Sequence, residues 1–256
     1  MFKIEINKLA FYNYFVKIIN EQLKDSKTIV FLDFEATETT REIISIGAIK
    51  ADLDNKKQIK KTYEGFRCYV KTNTHITPII RKITGLNDEI LKRDGVSFEK
   101  AINKLHRYVG NDLTFVRFLT YGNFDIRLLH DTAEKHNLLQ NTLVLRIFHK
   151  NLDFSNFLFQ YARKENRQYL SLVNALQLFK ITPVEPLHDS LSDATNLMLL
   201  YKAFLNKRNI LKEEYLKVIT TNPHLDNPIK KLLKDILKDG VANKENFLKY
   251  IEEELK

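Results

Sequence analysis

The chain has 256 residues, 44% of them hydrophobic, which is typical of a folded globule and excludes a disordered chain. The formal net charge of +9 favours a polyanionic partner such as nucleic acid, although a lysine-rich composition also follows from background amino-acid usage. A single cysteine, Cys68, excludes an intramolecular disulfide and a Cys-based zinc site, and it fits a reducing cytoplasm. No run approaches the ~20 apolar residues of a membrane span, so we expect a soluble protein.

The ends of the chain are predicted to be helical additions to one central domain. Residues 3–24 have the apolar periodicity of an amphipathic packing helix, without the cleavage site of a secretion signal. Beyond residue 206, prolines interrupt the chain and two short helices are expected at 229–238 and 245–255. We therefore expect an N-terminal extension over 1–27, a main domain over 28–206 and a C-terminal helical appendage over 207–256.

The main domain is predicted to be α/β, a mixed five-stranded sheet flanked by helices. Short connections between the first three strands predict an antiparallel meander. Later strands alternate with helices, which indicates a mixed sheet. The predicted strands are 28–37, 42–50, 62–71, 113–120 and 142–148. The predicted helices begin at Pro78, at Ser97 as a cap, at Phe124, at Tyr169 and at Ser190.

The strand at 28–37 is apolar and then ends in two acids, Asp33 and Glu35. Because residues two apart on a strand point to the same face, both carboxylates are expected to enter one small volume. Two such charges repel unless a proton or a cation neutralises them, and oxygen ligands of this kind suit Mg²⁺ or Mn²⁺. The alternative is an ordinary strand end with two solvated acids.

Two further acids occur in contexts that could complete a metal site. Asp125 follows the fourth strand at the start of a helix, where it is either a first-turn acid favoured by the helix dipole or a ligand presented to the neighbouring strand. His188 and Asp193 are five apart, which predicts His188 on a loop and Asp193 on the first turn of a helix capped by Ser190. The competing interpretation is a capping box of Ser190 with Asp193 and a surface histidine.

These motifs together, in this order, resemble the DEDDh 3′–5′ exonuclease family, which has a ribonuclease H-like fold. The resemblance covers about residues 28–206. It is carried by Asp33 and Glu35 in the sequence FLDFEAT, by Asp125 in YGNFD, and by His188 and Asp193 in HDSLSD. The sequence ITGL at 83–86 is similar to the family segment that abuts the 3′-terminal nucleotide.

The resemblance implies hydrolysis assisted by two divalent cations, Mg²⁺ or Mn²⁺. Asp33 would bridge both ions, Glu35 and Asp193 would support the ion on the nucleophile side, and Asp125 would hold the second. His188 would take the proton from the attacking water, because imidazole titrates near neutral pH. The product would be a nucleoside 5′-monophosphate. Predicted substrate contacts are Ala36, Thr37, Ile83, Leu86 and Phe124, although core packing is an alternative for Ile83 and Phe124.

The predicted partner is the 3′ end of a single-stranded nucleic acid, with RNA slightly favoured because the DFEAT motif is similar to that of RNA-trimming branches of the family. A DNA-directed exonuclease has closely similar motifs. Two other functions are a nucleic-acid-binding module that lacks activity and an adaptor whose terminal helices dock a protein partner. The remaining histidines have no motif context and are predicted to be structural or on the surface: His75, His106, His130, His136, His149 and His224.

Overall fold

The structure is a computed structural model that describes residues 19–222 and 224–255. Most of the opening helix predicted over 3–24 therefore lies outside the described residues. Its last part is helical at 19–22, and the side chains of Ile19 and Leu23 are buried in the main core. Among the described residues, no helix is both long and apolar enough to cross a membrane.

One six-stranded sheet is built by the described residues. Its strands are β1 (Thr28–Ala36), β2 (Ile43–Leu53), β3 (Ile59–Thr62), β4 (Phe66–Tyr69), β5 (Val116–Thr120) and β6 (Asn151–Asp153). The order is β3-β2-β1-β5-β6, with β4 also paired to β2. Strand β1 is antiparallel to β2 and parallel to β5, and β5 is parallel to β6. The mixed α/β sheet and the antiparallel meander are confirmed, with six strands instead of five.

Helices cover both faces of this sheet. They are α1 (Pro78–Thr84), α2 (Asp88–Asp94), α3 (Phe98–Val109), α4 (Phe124–Lys135), α5 (Thr142–Lys150), α6 (Phe154–Phe159), α7 (Leu172–Leu178), α8 (Ser190–Asn206), α9 (Arg208–Thr220), α10 (Asn227–Asp239) and α11 (Lys244–Glu254). Helices α3, α4 and α5 contribute to the core on one face, and α6 to α9 contribute to the core on the other.

The fifth predicted strand, at 142–148, is wrong. This segment is helix α5, because the Asn141 side chain accepts hydrogen bonds from the backbone N–H groups of Leu143 and Val144 and so caps a helix. The strand that completes the sheet is the short β6, which follows directly. The predicted third strand is also two strands, β3 and β4, both paired with β2. The helix expected from Tyr169 begins at Leu172, where Ser171 caps it.

Strand β1 divides its side chains between the two cores, and this decides where its acids point. Ile29 and Phe31 belong to the core under α8, whereas Val30 and Leu32 belong to the core under α3 and α4. Because the strand alternates with a period of two, Asp33 continues the first set, towards α8. The two acids of β1 therefore face the helix that carries Asp193.

Candidate active site

Asp33 and Glu35 lie at the carboxyl end of the central strand β1 and are both partly buried. Across the sheet, Asp33 pairs with Gly47 of β2 and Glu35 pairs with Ser45. The predicted placement of both carboxylates on one face therefore agrees with the observed strand.

Gly47 allows helix α8 to reach this face of the sheet. A Cβ atom at Gly47 would lie 2.0 Å from the backbone carbonyl carbon and oxygen of Ser190, far inside van der Waals contact. In addition, the Ser45 and Ser190 hydroxyl oxygens are 2.7 Å apart and hydrogen-bonded. The first turn of α8 is thus seated directly on β2, beside Asp33.

Asp125 approaches the same site from the other core. It lies in the first turn of α4, is 6% exposed, and its Oδ1 accepts a hydrogen bond of 3.0 Å from the backbone N–H of Phe34. Phe34 is the residue between Asp33 and Glu35. Strand β1 therefore binds Asp125 through a backbone N–H group, and it carries Asp33 and Glu35 as its own side chains.

Asp193 is not part of a capping box with Ser190. The N-cap of α8 is Asp189, whose Oδ1 accepts a hydrogen bond of 2.9 Å from the backbone N–H of Ser192. The predicted cap at Ser190 is wrong because this residue is already helical and its hydroxyl is bonded to Ser45. Asp193 is thereby left free of the capping role, with Oδ2 accepting a hydrogen bond of 3.0 Å from the backbone N–H of His188.

His188 lies on the loop before α8, as predicted, and its side chain is exposed. Its backbone φ of 58° is in the left-handed region, which non-glycine residues seldom adopt. A ring nitrogen of His188 and one carboxylate oxygen each of Glu35 and Asp193 lie within 4.8 Å of one another. The loop therefore turns the imidazole towards the two acids.

Burial raises the pKa of every acid in this cluster of Asp33, Glu35, Asp125 and Asp193, and repulsion by other acids of the cluster adds to the shift for the first three. Burial is the largest cause for each. The pKa of Glu35 rises to about 8, with Asp193 and Asp125 as the next causes. The pKa of Asp125 rises to about 7, although the backbone N–H of Phe34 opposes the shift. The pKa of Asp33 is held well above its ordinary value by burial and by Asp125, Glu35 and Asp193.

This acid cluster fits divalent cations. Among the described residues, no lysine or arginine forms an ion pair with any of the four acids. Four negative carboxylates without a cationic partner are costly in a buried site, and hard cations that prefer oxygen ligands would remove the repulsion. The donor set is therefore the kind that binds Mg²⁺ or Mn²⁺.

A family model described as "Exonuclease" (RNase_T) matches residues 30–201. The chain belongs to the exonuclease family. This confirms the family suggested by the motifs, and the matched segment contains all five motif residues. No curated protein sequence matches the chain.

Solved structures similar to this chain share its fold at low sequence identity. Cell-death related nuclease 4 (CRN-4) is 18% identical with a TM-score of 0.59, over 72% of this chain and 65% of that chain, slightly less than two thirds of the relative. The nuclease domain of 3′hExo, a DEDDh family member bound to rAMP, is 19% identical with a TM-score of 0.58, over 71% and 93%. E. coli Exonuclease I in complex with a dA16 oligonucleotide is 15% identical with a TM-score of 0.52, over 80% and 45%. The predicted ribonuclease H-like fold is confirmed.

The five predicted substrate contacts have different degrees of exposure. Phe124 is 50% exposed, with the Arg127 guanidinium 5.7 Å from its ring centroid, and Ile83 is 43% exposed. Leu86 is 6% exposed and packs in a small core with Ile44, Ile76 and Leu91. Thr37 is buried, and its hydroxyl accepts from the backbone N–H of Glu42; Ala36 ends β1. Contact of these five residues with a substrate stays a prediction.

Two residues that contact this site were missed by the sequence reasoning. Arg67 of β4 forms an ion pair with Asp189, the cap that follows His188. Asn196 is fully buried, donates to Asp193 Oδ1 at 3.4 Å, and bonds the backbone of Val184 through both amide atoms. Asn196 is one helical turn after Asp193, a spacing visible in the sequence. The role of Arg67 depends on strand pairing, which the sequence does not reveal.

Proposed function

We propose that this protein is a metal-dependent 3′–5′ exonuclease of the DEDDh type that releases nucleoside 5′-monophosphates from single-stranded nucleic acid, with RNA favoured. The observation that carries the proposal is the convergence of Glu35, Asp193 and His188, which each offer a ligand atom within 4.8 Å of the others. Asp33 and Asp125 lie close enough for their charges to interact with these acids, and the pKa of each of the four acids is raised. Perturbed acids with few compensating partners are a mark of functional sites.

The chain's own residues divide the work between ligation, orientation and proton transfer. Asp33, Glu35, Asp125 and Asp193 would hold two divalent cations, Mg²⁺ or Mn²⁺. When bound, such cations neutralise a scissile phosphate and make water a better nucleophile. His188, with its ring near Glu35 and Asp193, would accept the proton of the attacking water. Arg67 and Asn196 would hold in place the loop that carries this histidine and the helix that follows it.

DNA-directed hydrolysis is the second candidate. The similar structure of 3′hExo is described as bound to rAMP, whereas E. coli Exonuclease I is described in complex with a DNA oligonucleotide. Both share the fold of this chain, so the fold supports either sugar. The preference for RNA rests on the DFEAT motif around Asp33 and Glu35, and a direct comparison of substrates is needed to decide between the two.

A module without activity, or an adaptor, is less well supported because the chain retains all five motif residues. We propose residues 28–206 as the catalytic domain, 1–27 as an extension and 207–256 as an appendage that could dock a partner. A cytoplasmic location is proposed on the basis of the single cysteine, Cys68, which is free and buried.

The decisive experiment incubates the protein with RNA and DNA oligonucleotides of one sequence, labelled at either the 5′ or the 3′ end, with Mg²⁺, Mn²⁺ or EDTA. We expect a ladder of shortened 5′-labelled products and an early labelled mononucleotide from the 3′-labelled strand, both absent in EDTA. Comparison of the initial rates on RNA and DNA identifies the sugar. Release of mononucleotides from the 5′ end, or hydrolysis unaffected by EDTA, would overturn the proposal.

A further inference from the structure

An exposed pair of stacked aromatic rings lies outside the acid cluster. The rings of Phe159 and Tyr169 have centroids 4.4 Å apart and an interplanar angle of 29°. Tyr169 is 48% exposed, whereas Phe159 is partly buried beneath it, with the Arg163 guanidinium 5.4 Å from the Phe159 ring centroid. The pair therefore presents an aromatic surface to solvent, and we call Phe159 and Tyr169 the platform.

Hydrogen bonds attach the platform to the edge of the sheet where the acids lie. The Tyr121 hydroxyl, directly after β5, donates to the backbone carbonyl of Leu170 at 2.8 Å. The Tyr169 hydroxyl and Asn156 Oδ1 are 3.1 Å apart. The Asp153 carboxylate accepts from the backbone N–H of Asn156, and it also accepts from that of Gly122. Both connections thus end within four residues of Asp125.

The electrostatic effect of Asp153 gives a second measure of this proximity. Its negative charge contributes to the raised pKa of Asp125, so the start of α6 is close to the acid cluster. From Asp153 to Phe159, the helix rises about 9 Å at 1.5 Å per residue. The platform therefore lies at the far end of a short helix whose first residues are near the acid cluster.

The loop that carries Tyr169 is cationic and rigidly held. It contains Arg163, Lys164 and Arg167, against one acid, Glu165. Arg163 donates to the backbone carbonyl of Val218 and to the Thr221 hydroxyl, and Arg167 donates to the backbone carbonyl of Thr221. Lys164 is exposed. Positive charge next to an exposed ring is the arrangement that proteins use to bind a single strand through its phosphates and base faces.

We propose that the platform is an upstream binding site for single-stranded nucleic acid, where the exposed face of Tyr169 stacks on a base several nucleotides from the 3′ end. The inference rests on the proposed function, because it assigns the platform to the same strand whose end enters the acid cluster. Stacking requires no particular base, since every base has a π face. The site therefore increases affinity for longer strands without selecting a sequence.

The test compares kcat/KM for a dinucleotide with that for a strand of about ten nucleotides, long enough to reach both sites. In the Tyr169→Ala variant, we expect the ratio of long to short substrate to fall by about 5- to 100-fold, mainly through KM, as for loss of one stacked base. Tyr169→Phe should retain most of the ratio, because the ring is kept and only the bond to Asn156 is lost.

Phe115→Ala is the matched control. Phe115 is also exposed, at 39%, with the Lys27 ammonium 4.4 Å from its ring centroid. It precedes β5, however, and thus lies at the amino end of that strand, opposite the end near the acid cluster. We expect its ratio to equal that of the wild type, and thermal melting verifies that all variants are folded. An unchanged ratio in folded Tyr169→Ala, or an equal loss in Phe115→Ala, overturns the platform while leaving the exonuclease assignment intact. A wild type that hydrolyses neither substrate contradicts the proposed function itself.

Discussion

A single buried acid, Glu42, and the acid cluster have opposite surroundings in this molecule. At the first, Glu42 is 5% exposed and its carboxylate accepts hydrogen bonds from the hydroxyls of Thr40, Thr72 and Thr74 and from the Lys135 ammonium. These donors lower the pKa of Glu42 despite its burial. At the second, the acid cluster has few donors and no lysine or arginine partner among the described residues, and the pKa of each acid is raised.

The difference shows which buried charge serves the fold. Glu42 is compensated by the protein itself and connects the loop after β1 to the loop after β4. The acid cluster is not compensated by the chain, so its carboxylates lower stability unless a proton or an external cation neutralises them. A substitution at Glu42 should therefore change stability, whereas a substitution in the cluster should change activity.

The largest effect is expected for Asp33→Asn, which removes the charge at the centre of the cluster while preserving shape. Hydrolysis should fall by at least about 10⁴-fold, as for loss of an essential member of a catalytic unit. Single-turnover assays with labelled oligonucleotides measure the loss, and circular dichroism checks the fold. Turnover at the wild-type rate would show that the cluster is not the catalytic centre.

Next in size is His188→Ala, with an expected reduction in kcat of about 10²- to 10⁴-fold, the usual contribution of a general base. The pH dependence of kcat should also change, because the group that accepts the proton is removed, a result that structural damage alone would not produce. His149→Ala, an exposed histidine on α5, is the matched control. A variant at position 188 with the wild-type pH profile would remove this imidazole from the mechanism.

A smaller loss of activity, about 10²-fold, is expected for Gly47→Ala. The new methyl group would displace the first turn of α8, and misplacement of catalytic groups by about 1 Å costs this much. Gly95→Ala is the control, because its Cβ would also meet a backbone carbonyl, that of Leu91, at 2.4 Å, but at the end of α2. Both variants should have a lower melting temperature. Only Gly47→Ala should lose activity, because it displaces the helix that carries Asp193.

Glu42→Gln should lower the free energy of unfolding by about 2–3 kcal/mol, because the buried donors lose a charged acceptor. The pKa of Glu42 is lowered in the folded state, so its stabilisation is present above the pKa of the unfolded chain and is lost as the pH falls through the folded-state pKa. Urea unfolding at several pH values measures this. Glu38→Gln, an exposed acid bonded to Thr77, should have little effect.

The smallest effect concerns stability without cations. The folded-state pKa of Glu35 is about 8, above its ordinary value of 4.5, so the folded protein retains a proton that the unfolded chain has released. Stability in EDTA should therefore fall as the pH rises from about 4.5 to 8. Glu35→Gln should reduce this slope, and Mg²⁺ should restore stability at pH 8 in the wild type. A wild-type slope in Glu35→Gln would contradict the shifted pKa.

The sequence predicted the parts of the site that depend on local spacing. The side-chain alternation of a strand predicted that Asp33 and Glu35 share a face. The spacing of His188 and Asp193 predicted a loop histidine followed by an acid in the first turn of a helix. Contacts between distant segments could not be predicted in this way. The seating of Ser190 on Gly47 and the ion pair of Arg67 with Asp189 depend on strand register and on the approach of a helix.

Short apolar segments were the weak point of the fold prediction. Residues 142–148 are rich in leucine and valine, which suits a buried strand as well as a helix, and the cap at Asn141 decided the outcome. The sixth strand, Asn151–Asp153, has three residues, too few for any periodic pattern. Its position is fixed by pairing with β5, a tertiary contact.

If the platform binds a strand as proposed, the bonds of Arg163 and Arg167 to the end of α9 would connect that binding to the C-terminal residues. The family match ends at residue 201, so these contacts join the matched domain to a segment outside the match. Substitutions around Val218 and Thr221 would alter how firmly the loop of Tyr169 is held, and thus the strand length at which binding saturates, while the hydrolytic groups stay as they are. The extent to which a strand is trimmed would then depend on a helix outside the acid cluster.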